Sequence, residues 1–193
     1  MSDDDSDETA GQETAIVLDV LPHGRTEDDR PQYEKEPLAY ALDGEQFTLY
    51  ELTLKEADLS IGDRVDIYDS DQVRRASEID YGDLPGGAST ELEYVVEDLV
   101  TEDEQRFVDF YNDAQPITLR LHQLNLLPGI GKKLRNTLLD ERKRKPFESF
   151  EELEERVSGL HSPKETLVER ILEELQDDDL KYRLFVRREE QSS

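Results

Sequence analysis

Residues 126–133 read LLPGIGKK, and residues 141–145 read ERKRK. In the first stretch a proline leads into two glycines that flank an isoleucine, and two lysines follow. Leu127 and Ile130 supply apolar plugs that pin such a turn to a core, while Pro128 stiffens its entry. Gly129 and Gly131 tolerate positive φ and leave no Cβ between backbone and ligand. The amides of residues 129–133 then open a helix, where unpaired N–H groups meet the positive end of the helix dipole. That arrangement holds a phosphate oxygen. Lys132 and Lys133 add charge beside it, and Arg135 follows within one turn. The stretch reads as a hairpin between two helices that positions a nucleic-acid backbone without reading its sequence. A hairpin that needs its glycines only for packing leaves the paired lysines unexplained.

The rest of the chain makes those lysines conspicuous. The 193 residues carry a formal net charge of -26, with 49 acids against 15 arginines and 8 lysines. Between Ile117 and Pro146 the sign reverses. Arg120, Lys132, Lys133, Arg135, Arg142, Lys143, Arg144 and Lys145 face only Asp140 and Glu141, so this segment is +6 and the other 163 residues carry -32. The acids elsewhere are spread along the chain rather than held in one tail. This pattern fits a solvated surface suited to high salt, where self-repulsion is screened, and points to a halophile. The other reading is an acidic chain that binds basic partners. The Arg142–Lys145 cluster extends the phosphate contact, or else is a solvated helix end that complements the dipole.

Cysteine is absent, which excludes disulfides, thiolate metal sites and cysteine nucleophiles. There is no run of 18 apolar residues and no basic start followed by an apolar stretch, so a soluble, cytoplasmic protein without signal peptide is expected. With 35% hydrophobic residues, two modest cores are favoured over one large one.

Organisation follows from changes in period. Residues 1–14 form an acidic tail expected to be disordered, as are 189–193. Residues 15–81 look β-rich: AIVLDVL, LAYAL (38–42), FTLYELTL (47–54), SIGDRVDIY (60–68) and VRRASEIDY (73–81), with an Asp-Gly turn signal between the second and third. Such short strands with one apolar face suit a small closed or partly open barrel. GDLPGGAST (82–90) reads as a linker. From residue 91 to 188 the period is helical. Leu92, Val95, Val96, Leu99 and Val100 make one stripe, Thr101 and Glu104 match a capping box, and Pro116 ends the next helix. A short helix is expected over 118–124, a second over 132–143 and a third over 150–157 behind a Ser149/Glu152 capping box. Ser162-Pro163-Lys164-Glu165 opens the last, which runs to Leu175. Val157-Ser158-Gly159-Leu160-His161 echoes Leu127–Gly131 thirty residues on, which predicts two helix–hairpin–helix units. The echo lacks the second glycine and the lysines and reads as mainly structural.

Tyr40, Phe47, Tyr50 and Tyr68 are the barrel aromatics available for base stacking, with core packing the plainer reading. His23 and His122 have no partner that makes a metal site. Catalysis is not expected. Asp140 falls too early after the hairpin to serve as a base-excision aspartate, there is no defensible Ser/His/Asp grouping, and Gly131-Lys132 is followed by Lys133 rather than Ser or Thr.

The stretches YVVEDLV, RFVDFYNDAQPITLRLHQLNLLPGIGKKLRNTLLDERKRKPFESFEELEERV and KYRLFVR resemble an archaeal family, domain of unknown function 655, and the acidic composition suits a haloarchaeal member. The resemblance covers about residues 15–188. It implies an OB-like barrel followed by a tandem helix–hairpin–helix domain, and a predicted RNA- or nucleotide-binding role, with no catalytic residue to carry over.

The expected fold is therefore α+β, an N-terminal small OB-like β-barrel followed by an all-α helical domain. The expected function is non-enzymatic nucleic-acid binding, RNA favoured over DNA, through Gly129, Ile130, Gly131, Lys132, Lys133 and Arg135, extended by Arg142, Lys143, Arg144 and Lys145. No cofactor or membrane partner is expected, and a ribosomal or RNA-processing protein is a further candidate partner. The alternatives are a double-stranded DNA repair or recombination factor and an adaptor that docks through its acidic barrel.

Overall fold

The computed structural model describes residues 14–69 and 71–188, so the tails expected to be disordered lie outside it except for Thr14, which opens the first strand. The chain divides into two compact units, Met1–Leu92 with Arg187–Ser193, and Glu93–Val186.

The first unit is a five-stranded antiparallel sheet: β1 (Thr14–Leu21), β2 (Leu38–Asp43), β3 (Leu49–Leu54), β4 (Arg64–Asp66) and β5 (Val73–Ile79), in the order β4-β1-β2-β3-β5. The register shifts between Val17 and Asp19 in β1, and between Thr53 and Leu54 in β3. Such shifts increase local twist and curl a sheet. No pairing joins β4 to β5 among the described residues, so the sheet is a curled half-barrel rather than a closed one. Ala15, Val17, Ala39, Ala41, Leu52, Leu54, Val65, Ile67 and Val73 fill its concave core. Of SIGDRVDIY only Arg64–Asp66 pairs as strand. The Asp-Gly turn signal is realised by Asp43, whose carboxylate accepts from the amides of Glu45 (3.2 Å) and Gln46 (2.9 Å). That turn ends at Phe47, whose φ of +55° is unusual for a bulky residue. Its complete burial offsets the cost, since burying a phenylalanine contributes about 1.5–3 kcal/mol.

The residues expected to link the domains are a 3-10 turn, Tyr81–Asp83, and the first turn of α1 (Gly86–Glu102). α2 (Glu104–Asp113), α3 (Lys132–Arg144), α4 (Phe150–Arg156) and α5 (Pro163–Gln176) complete the helices. The Thr101/Glu104 capping box does not form. Thr101 lies inside α1 with its hydroxyl on the Glu97 carbonyl at 2.9 Å, and Glu104 instead accepts from the amide of Phe150 at 2.9 Å, capping α4 from 46 residues away. Ser149 caps α4 as expected, accepting from Glu152 N at 3.0 Å, while the Glu152 carboxylate takes the amide of Glu148. Ser162 precedes Pro163 in left-handed geometry (φ +50°) and makes no side-chain cap. The core of the helical unit includes Val96, Val100, Phe107, Tyr111, Leu124, Leu138, Phe147, Leu153, Leu167 and Ile171. The tail docks there as expected. Fully buried Glu174 accepts from the amides of Leu184, Phe185 and Val186 and from Arg170 Nε, and Phe185 lies 5.0 Å from the Phe110 ring.

Candidate nucleic-acid interface

The two echoed stretches fold alike. Ile130 N donates to Leu127 O at 3.2 Å, and Leu160 N donates to Val157 O at 3.2 Å. Gly129 and Gly159 occupy the third position of each turn with φ of +80° and +94°, as a type II turn requires. Leu127, Ile130, Val157 and Leu160 are all buried, so the apolar plugs serve as the sequence predicts. The lead-in to the first hairpin differs from expectation. No helix covers 118–124. Pro116 and His122 form a β-bridge across a tight loop, and a 3-10 helix, Gln123–Leu126, enters the turn.

Beyond the turns the hairpins diverge. Gly131 caps α3 with φ -88° and ψ -167°, an extended conformation open to any residue, and a Cβ built there meets no atom within 4 Å. Conformation therefore demands a glycine at 129 alone; at 131 the missing side chain leaves open surface. No side chain caps α3, and its first turn holds no acid, unlike those of α2, α4 and α5. Lys132 and Lys133 are exposed beside these amides. At the second hairpin Pro163 removes an amide, Lys164 pairs with Glu97 at 3.6 Å and Glu165 adds negative charge. Only the first hairpin offers a helix start free of acids.

A side-chain network fixes that hairpin. The Asn125 oxygen accepts from His122 N at 3.1 Å and from Arg135 Nη1 at 3.0 Å, while its amide donates to Ile130 O at 3.3 Å. His122 Nδ1 accepts from Leu124 N at 3.1 Å, which requires a neutral ring. Burial lowers the His122 pKa from its usual value, and the Arg142 and Arg135 cations lower it further. Arg135 thus braces the hairpin from within. The sequence reading missed Asn125 and left His122 without a role; His122 lies three residues before Asn125, the spacing of a cap pair, and that was the available signal.

The ERKRK cluster is not one surface. Arg142 donates to the carbonyls of Tyr111 (3.1 Å) and Ala114 (2.9 Å), capping the C-terminus of α2, and burial lowers its pKa. Arg144 pairs with Glu141 at 3.2 Å, and Lys143 and Lys145 are exposed. α3 has 13 residues, so this cluster lies about 18 Å along the axis from the hairpin amides. The two form the ends of a strip, not one pocket. On its other side Pro128 borders an open groove of about 770 Å³ walled by Glu169, Glu173, Asp177, Asp178 and Asp179, which repels phosphate. Of the aromatics singled out, Tyr40 and Phe47 are core, Tyr50 is half-buried against the sheet cluster and Tyr68 is exposed. No group of three metal-ligating side chains occurs among the described residues. No helix there is long and apolar enough to cross a membrane.

Comparison with known proteins places this geometry in a lineage. The family model described as a protein of unknown function (DUF655) matches residues 11–187. The chain belongs to this family. An uncharacterized protein of Methanocaldococcus jannaschii is 43% identical over 180 residues, which span 90% of this chain and 79% of that one. A crystal structure of a DUF655 protein from Archaeoglobus fulgidus superposes with a TM-score of 0.82 at 40% identity, covering 91% of this chain and all of that one. The half-barrel and helical units described above are thus shared with that protein.

Proposed function

We propose that this DUF655 chain binds nucleic acid through its phosphate backbone, RNA in preference to DNA, and carries out no catalysis. In this reading the half-barrel is an incomplete OB-like barrel, and the paired turns at Gly129 and Gly159 are helix–hairpin–helix units. The observation that carries it is Gly131. Neither backbone conformation nor packing calls for a glycine there, yet its absent side chain leaves the start of α3 open beside two exposed lysines. An acid-rich chain that left this helix start free of acid has a reason if an anion docks there. One-sided grip favours RNA over the two-fold grip that a symmetric tandem would place on duplex DNA. In high salt, charge alone contributes little, because counterion release weakens with salt. Fixed amide–phosphate hydrogen bonds persist better, which fits the acidic composition of a halophile.

The test is fluorescence anisotropy in molar potassium chloride with structured RNA, single-stranded DNA and duplex DNA. Gly131→Asp supplies a good helix cap and puts a carboxylate where phosphate would sit. The expected result is tight RNA binding by the natural chain, lost in Gly131→Asp and in Lys132→Glu/Lys133→Glu, with folding intact. Unchanged binding by a folded Gly131→Asp protein would sink the hairpin grip. A preference for duplex DNA would shift the reading to a repair or recombination factor.

A further inference from the structure

Leu119 is wholly exposed, at 107% of its reference area, the most exposed of the large apolar side chains described. It is not carried on a slack loop. Ile117 N and Thr118 N donate to Leu121 O at 2.8 and 3.0 Å, and Thr118 Oγ1 accepts from the amides of Arg120 (3.3 Å) and Leu121 (3.0 Å). At the base Gln123 N donates to Gln115 O at 2.9 Å, and Gln115 N to the Gln123 side chain at 2.8 Å. These bonds use backbone, Thr118 and the glutamines; none needs a leucine at the tip. Burying a leucine contributes about 1.5–3 kcal/mol, which this apolar-poor chain forgoes at residue 119.

The loop is also tied to the hairpin. His122 closes its base through the bridge to Pro116 and hands its N–H to Asn125, the residue that braces Ile130 and Arg135. Arg120 stands exposed beside Leu119, and no acid occurs from Ile117 until Asp140. An apolar tip flanked by a cation, on the same braced element as a phosphate-ready helix start, matches the side chains that proteins insert between stacked bases.

We infer that Leu119 is a wedge that enters the base stack of the bound nucleic acid while Arg120 meets the adjacent phosphate. This rests on the phosphate-grip reading. Unstacking costs a few kcal/mol per step, so the favoured ligand is an RNA whose stack is already interrupted, at a bulge or internal loop.

The experiment uses the full chain and an RNA hairpin with 2-aminopurine beside a one-nucleotide bulge, compared with the same hairpin without the bulge. The natural chain should bind the bulged RNA more tightly and brighten the fluorophore as its stacking is lost. Leu119→Ser, at a site that buries nothing, should melt like the natural chain, bind roughly ten- to a hundredfold more weakly and leave the probe dark. Equal affinity and equal brightening with Leu119→Ser would overturn the wedge and leave the grip standing. Binding that is lost in Gly131→Asp but shows no brightening would do the same. If the natural chain binds neither RNA, the grip fails and the wedge with it.

Discussion

Asn125 holds Arg135 at 3.0 Å across ten residues of chain, and the same oxygen accepts the His122 amide at 3.1 Å. The first hairpin is therefore shaped by a side chain outside it. Asn125→Ala leaves the Arg135 guanidinium and the His122 amide without this acceptor, at a cost of about 1–3 kcal/mol. A lower thermal midpoint and faster amide exchange at Ile130, relative to the α5 amides, would register it.

The two hairpin glycines should part company. At Gly129 the φ of +80° penalises any side chain, so Gly129→Ala should lose about 1–2 kcal/mol of stability. At Gly131 the backbone is extended, so Gly131→Asp should hold or raise stability by up to about 1 kcal/mol through capping. Urea denaturation beside the binding assay separates the two effects; Gly131→Asp alone should combine an intact fold with lost binding.

His122 sets a pH dependence. Its folded pKa is lowered by burial and by Arg142 and Arg135, so the unfolded chain binds this proton more readily. Its contribution is present above the ordinary histidine pKa of about 6.5 and is lost as pH falls through and below it. Denaturation midpoints should drop as pH falls below about 6.5 in the natural chain, and the drop should be smaller in His122→Asn. Equal slopes in both proteins would remove His122 as the cause.

Lys132 and Lys133 should each contribute about one unit to the log–log salt slope of binding, so the Lys132→Gln/Lys133→Gln protein should bind with a slope shallower by about two. Lys143→Gln/Lys145→Gln, about 18 Å down the helix, should flatten it further only if the ligand follows the strip.

Glu174 is the latch of the C-terminal segment. Replacing it by Ala frees three amides and leaves buried Arg170 with only the Tyr182 carbonyl (2.7 Å) and Glu173 (3.5 Å), a loss of about 3–5 kcal/mol. Limited proteolysis should then cut first between Asp177 and Val186.

Much of this was legible in the chain because the signals were local. β1 to β3 follow apolar runs with a turn signal between them, and α3 to α5 follow Gly131, Ser149 and Ser162-Pro163. The hairpin echo was readable because its plugs and glycines repeat at fixed spacing. What escaped was long-range. Glu104 matched a local cap but serves Phe150, and Arg142 sat in a cationic run but is spent on the carbonyls of Tyr111 and Ala114. Over 117–124, Ile117, Leu121 and Leu124 share a helical spacing, yet Pro116 and the Thr118 hydroxyl close a loop instead. No local pattern distinguishes the first two outcomes, since each depends on a partner supplied by another turn of chain.

The return of Arg187 to the first unit, where its N–H donates to Gln46 O at 3.0 Å, has a consequence for biosynthesis. All five strands leave the ribosome before the helical unit has been translated. At about 5–20 residues per second, the β2–β3 turn waits roughly 7–28 s for its final hydrogen bond. During that interval the nascent sheet must stand on its own strand pairing.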